Sequence, residues 1–236
     1  MLNLGWTQGQ VNDHKNAIAS LSEARDILNN LSALDPQNTA MLYHRTAAYR
    51  SLGIVYGYAG NKPAAIENFK AAVAIFDKLI EKDAANQTYR TVRSEVQMRT
   101  GDLLAQTGQT VEAATWMAAG LEYTLKQAKR PDANYSQMAE AARYLMGTQV
   151  KSLRNYDLAL QFARAAAELT KFKDPLILEY LAQAYWKKGD FDAALDAVLK
   201  ALSFVAAPQN GEMPSRARQT LEEMEAGIRA HKPSEN

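Results

Sequence analysis

The stretch SLGIVYGYAGNKPAAIENFKAAV, residues 51–73, reads as two apolar segments joined at AGNKP. Apolar residues recur at three- and four-residue spacings, the period of a helix face. Small residues interrupt the pattern at Gly53, Gly57, Gly60, Ala65 and Ala72, and no evident catalytic group is present. A glycine within a helix costs stability relative to alanine, so a helical reading must find a use for these positions.

The same pattern recurs along the chain. Gly53, Ala65 and Ala72 are separated by 12 and then 7 positions. Gly101, Ala113 and Gly120 keep that spacing, as do Gly147, Ala159 and Ala166 in MGTQVKSLRNYDLALQFARAA. Ala182, Ala194 and Ala201 keep it again, with Tyr185 at the place of Tyr56 and Gly189 at that of Gly60. Gly5, Ala17 and Ala24 complete the set. Small side chains in a fixed frame mark where paired helices cross closely, because bulk there would hold the axes apart. Tyr56 and Phe69 are then the large knobs beside the contacts. The Gly53–Gly57 pair is expected to be another close contact within a water-soluble helix.

First-helix positions 5, 53, 101, 147 and 182 give intervals of 48, 48, 46 and 35. The longer intervals predict longer helices meeting at a D-x-x-N turn, Asp35 to Asn38 and Asp83 to Asn86. Helices are predicted over 1–8, 13–33, 37–59, 62–82, 86–107, 110–129, 132–152, 155–171, 175–188, 191–206 and 215–230. Asp35-Pro36, Asp174-Pro175 and Met213-Pro214 read as helix starts, and AGNKP, QTGQT, SLRN and KKGD as tight turns.

This frame resembles the tetratricopeptide repeat family, whose unit is a pair of antiparallel helices. The resemblance implies an all-α, right-handed superhelical solenoid of about five repeats, closed by a charged capping helix, SRARQTLEEMEAGIRA. A single domain over 1–230 follows, with the first repeat truncated at its N-terminus and 231–236 a disordered tail. The start inside a first helix suggests either a fragment of a longer protein or an end covered by another subunit, which makes self-association through that end one expectation. The 48-residue spacing, with ILNNLSALDPQN and FDKLIEKDAAN each followed by an arginine (Arg45, Arg93), is similar to bacterial arrays attached to serine/threonine protein kinases.

The family's groove lies on the first helices. Carried over residue by residue, it comprises Arg50, Ile54 and Tyr58; Met98, Asp102 and Gln106; Tyr144, Thr148 and Lys151; and Glu179, Gln183, Trp186 and Lys187. A protein or peptide partner is the implied occupant, with Tyr58, Tyr144 and Trp186 as anchors. The family's clamp for chaperone tails requires Lys, Asn, Asn, Lys and Arg. The matching positions hold Arg50, Ile54, Arg99, Ala141 and Leu145, so that recognition is not expected.

Chemistry of other kinds finds little footing. The chain has 236 residues, 27 basic and 26 acidic, three histidines and no cysteine. Without cysteine there is no disulfide, thiolate nucleophile or thiolate metal site. His14, His44 and His231 show no metal-binding spacing, and no phosphate loop or nucleophile elbow occurs. No enzyme activity, cofactor or metal is expected. A formal charge of +1 leaves no electrostatic footprint for nucleic acid. No apolar run nears the ~18–20 residues of a membrane span, and MLNLGWTQGQ lacks signal-peptide features. A cytoplasmic interaction module is the expectation, with a small-ligand sensor or accessory subunit of an enzyme as the alternative.

Overall fold

A computed structural model describes residues 13–206 and 215–231. Ten α-helices account for most of them: α1 (His14–Leu34), α2 (Thr39–Tyr58), α3 (Lys62–Lys82), α4 (Gln87–Gln106), α5 (Thr110–Ala128), α6 (Tyr135–Gly147), α7 (Tyr156–Leu169), α8 (Pro175–Lys188), α9 (Phe191–Ser203) and α10 (Arg216–His231). No strand occurs among the described residues. The expected helix at 1–8, the frame position Gly5, the start at Met213-Pro214 and tail residues 232–236 lie outside them. His231, expected in the tail, is the last residue of α10.

Asparagine and aspartate start these helices. Asp13, Asn38, Asn61, Asn86, Asn134, Asn155, Asp174 and Asp190 each accept a hydrogen bond from a backbone N–H in the first turn. Each thereby satisfies a donor that the helix leaves open. Asn134 and Gln137 form a reciprocal capping box. Asp174-Pro175 is a helix start as expected, with proline in the first turn. Asp35-Pro36 is not: Asn38 caps α2 and Pro36 lies in the preceding turn.

The chain divides into two compact units, Met1–Tyr123 and Thr124–Asn236. In the first, α1 to α4 run 20 or 21 residues each, the lengthening that the 48-residue interval requires. Neighbouring helices pair in sequence, α1 with α2, α2 with α3 and α3 with α4. In the second, α6 to α9 run 13 or 14 residues and pair likewise, and α10 closes on α9.

The frame residues sit at these crossings. Ala17, Ala65, Ala113, Ala159 and Ala194 are wholly buried. A Cβ at Gly53 would lie 2.4 Å from the Phe69 ring, and one at Gly101 would lie 2.8 Å from the Met117 backbone nitrogen. Two glycines depart from the expectation. A Cβ at Gly57 or Gly147 would meet nothing within 4 Å, so neither is a contact point.

The helix expected over 132–152 stops at Gly147, and a 3₁₀ turn covers Lys151–Leu153. The repeat register also differs at the turn that follows. Gly60, Gly108 and Gly189 occupy one frame position and adopt φ of 78°, 83° and 80° in the turns between paired helices. The same position in the third described frame is Arg154, with φ −70°. The chain leaves the helix at Thr148, and Arg154 Nε donates to Thr148 O at 2.8 Å.

Candidate functional site

Within the first unit, α2 and α4 border a cavity of about 300 Å³. Four of the expected groove residues line it: Ile54 and Tyr58 from α2, Asp102 and Gln106 from α4. Its floor is apolar, with Phe69, Leu103 and Ile54 continuing the cluster built around Phe69, Ala72, Val73 and Val96. Arg99, Asp102 and Gln106 give it one polar wall. Tyr58 stands at the rim with 71% of its surface exposed, stacked on His14 at a centroid distance of 6.4 Å.

The cavity exists because α2 lacks side chains at two positions where they could fill it. Gly53 must be small for Phe69, while Gly57 has open space before it and lines the cavity. One turn away, Glu95 is held between two arginines. Arg99 Nε donates to its Oε1 at 3.0 Å, and Arg50 Nη1 lies 4.0 Å from its Oε2. Arg50 thus contributes to an ion pair beside the groove rather than to its lining.

Met98 is not at the surface. It is fully buried, and its Cγ lies 2.6 Å from where a Cβ on Gly120 would be. Glycine at 120, where the preceding frame has Ala72, lets the Met98 side chain turn inward.

In the second unit the expected residues do not form one open surface. Tyr144 is 4% exposed, with the Arg143 guanidinium 4.0 Å above its ring. Thr148 is fully buried, and its hydroxyl accepts from Val150 N. Lys151 and Lys187 are exposed. Glu179 is half-buried and accepts from Gln183 Nε2 at 3.0 Å. Burial pushes the Glu179 carboxyl up from its ordinary range, and the Gln183 amide offsets part of that rise. Trp186 lies against α10: its Cη2 is 2.8 Å from the position of a Cβ on Gly227, and His231 meets its ring edge-on. The capping helix therefore covers one of the expected anchors, a contact that spans 41 residues of sequence.

Among the described residues, no group of three His, Asp or Glu side chains could hold a metal ion. No described helix is long and apolar enough to cross a membrane.

Residues 181–204, spanning most of α8 and α9, match the family model for the tetratricopeptide repeat. Solved structures share the fold over most of the chain. BtubC (BKLC) from P. vanneervenii superposes with a TM-score of 0.61 at 15% identity, over 92% of this chain and 84% of that one. The TPR-like repeats of a Podosopora anserina protein described as a kinesin light chain give 0.58 at 17% identity, over 86% and 92%. A variant of those repeats gives 0.57 with the same identity and coverage. No curated protein matches the sequence. The chain is thus an all-helical repeat protein, with a segment over residues 181–204 similar to a tetratricopeptide repeat.

Proposed function

We propose that this chain is a non-catalytic protein–protein interaction and scaffolding module that takes a peptide or a partner's exposed segment in the groove between α2 and α4. The observation that carries the reading is the cavity itself. It combines an apolar floor, a polar wall of Arg99, Asp102 and Gln106, and an exposed aromatic rim residue, Tyr58. Such a mixture suits a side chain inserted from a partner, with Tyr58 as the anchor that excludes water around it. The long 48-residue register supports a setting in the regulatory region of a larger bacterial protein, such as a serine/threonine kinase.

Filling the groove without disturbing the fold tests this. Gly57→Leu points into open space and replaces glycine by a good helix former, so the variant is expected to melt at or above the wild-type temperature. Peptides selected from a random display library on the wild-type chain should bind Gly57→Leu at least about tenfold more weakly, a loss of roughly 1.4 kcal/mol. Selected peptides that bind both proteins equally would place recognition elsewhere on the surface and sink the groove reading.

A further inference from the structure

The first and second described frames are offset by 48 residues and can be compared position by position. In the first, Leu42 at the start of α2 is buried against Ile75, Phe76 and Leu79. The register carries Leu42 onto Arg90 and Ile75 onto Tyr123. The second frame therefore puts a guanidinium and a phenol where the first has two buried aliphatic side chains. A cavity of about 270 Å³ opens there, lined by Asp77, Ile80, Arg90, Arg93, Ser94 and Tyr123. It shares no residue with the groove between α2 and α4, and its chemistry does not depend on what that groove binds.

The two arginines differ in how they are satisfied. Arg93 is engaged: its Nε donates to Asp77 at 2.6 Å and its Nη1 to Gln97 at 3.2 Å. The counterpart of this contact in the first frame is neutral on one side, Arg45 donating to Asn29 at 3.0 Å. Arg90 Nε, by contrast, is buried and has no hydrogen-bond partner. A buried guanidinium N–H without an acceptor is destabilising, and an aliphatic residue at this place would avoid the penalty, as Leu42 does.

Position along the helix sharpens the point. Asn86 caps α4, so Arg90 closes its first turn, where the helix dipole favours anions over cations, and Arg93 stands a turn further on. Two like charges three residues apart on one face also repel. Asp77 offsets one of the two positive charges, leaving the lining with a formal excess of one. An anion entering the cavity would answer all three imbalances at once.

We propose that this cavity binds a small organic carboxylate. The carboxylate oxygens accept from Arg90, in the paired geometry that a guanidinium offers, with the Tyr123 hydroxyl as a further donor. The organic body lies against Ile80 and the Tyr123 ring. Size argues for a molecule rather than a bare ion, since a water occupies only about 30 Å³ and the cavity is several times larger. Charge argues for a monoanion, because Asp77 already neutralises one arginine.

The full chain is titrated with benzoate, with inorganic phosphate and with chloride at matched ionic strength, by calorimetry and thermal unfolding. Benzoate is expected to raise the melting temperature above the chloride control, and phosphate to do so less. Arg90→Leu restores the apolar pairing of the first frame, so it should fold at least as stably as wild type. It should also bind benzoate at least about tenfold more weakly. Should Arg90→Leu fail to fold, Arg90→Gln, which removes the charge and keeps a polar chain, gives the same comparison. Equal benzoate binding by wild type and variant, no effect beyond chloride, or tighter binding of phosphate than of benzoate each overturns the proposal.

Discussion

Gly53 and Gly57 lie one turn apart on the same helix and serve opposite ends. The Phe69 ring presses on Gly53, so Gly53→Ala forces the ring or the helix aside and should destabilise the protein by about 1–3 kcal/mol. At Gly57 nothing opposes a methyl group, and Gly57→Ala should stabilise by about 0.5–1 kcal/mol through helix propensity alone. Urea unfolding of the two variants measures both signs. In the sequence the two glycines are indistinguishable, because the distinction depends on Phe69, which belongs to the next helix. Met98 teaches the same lesson. The frame aligns it with Arg50, which reaches Glu95, yet Gly120 on the facing helix draws the methionine into the interior.

Helix starts and some helix ends follow from a single residue. Starts are set by side chains that can accept a backbone hydrogen bond, and the eight Asn and Asp caps make them readable from the sequence. The ends of α2, α4 and α8 run into a left-handed glycine, whereas α1 and α3 end at Asp35 and Asp83 without one. Gly108 holds φ 83° with empty space around it, so Gly108→Ala is penalised by the backbone conformation and not by crowding. The expected cost is about 1–2 kcal/mol, against a gain for the same substitution at Gly57. Thermal unfolding of the pair separates backbone strain from side-chain fit. The expectation for α6 runs too far because helical periodicity persists in the sequence past Gly147, whereas the backbone leaves the helix at Thr148. The contact of Trp186 with α10 was not legible either. The charged face of SRARQTLEEMEAGIRA marks a terminal helix, whereas Gly227, which admits the indole, gains its meaning only from the residue across from it.

At the scale of the molecule, fold class came through the repeat register, since crossings between neighbours recur and each occurrence reinforces the rest. The groove came through only in part, because face-by-face carry-over does not register which side chains are covered by a neighbour. Two carboxyl groups shape the pH dependence of stability in opposite ways. Glu112 accepts from Lys70 at 2.6 Å and from Trp116 at 3.2 Å, linking α3 to α5, and the Lys70 contact holds its carboxyl below the ordinary range. Its contribution is full above the unfolded-state pKa and is lost as pH falls through the folded one. Glu179 is raised by burial, so the folded state binds its proton more tightly, and stability falls as pH rises through that window. Glu112→Gln should therefore reduce the loss of stability on acidification, and Glu179→Gln should raise the melting temperature at neutral pH while leaving it little changed in acid. Melting curves across pH 3 to roughly 8 check both signs.

The turns at Gly60 and Gly108 are alike in backbone and bare of neighbours, and 48 residues separate them. Whatever is spliced between two such points meets the same entry and exit. A genetic duplication of residues 61–108 would accordingly lengthen the array by one whole hairpin without breaking a helix, which makes chain length itself an evolvable trait of this architecture.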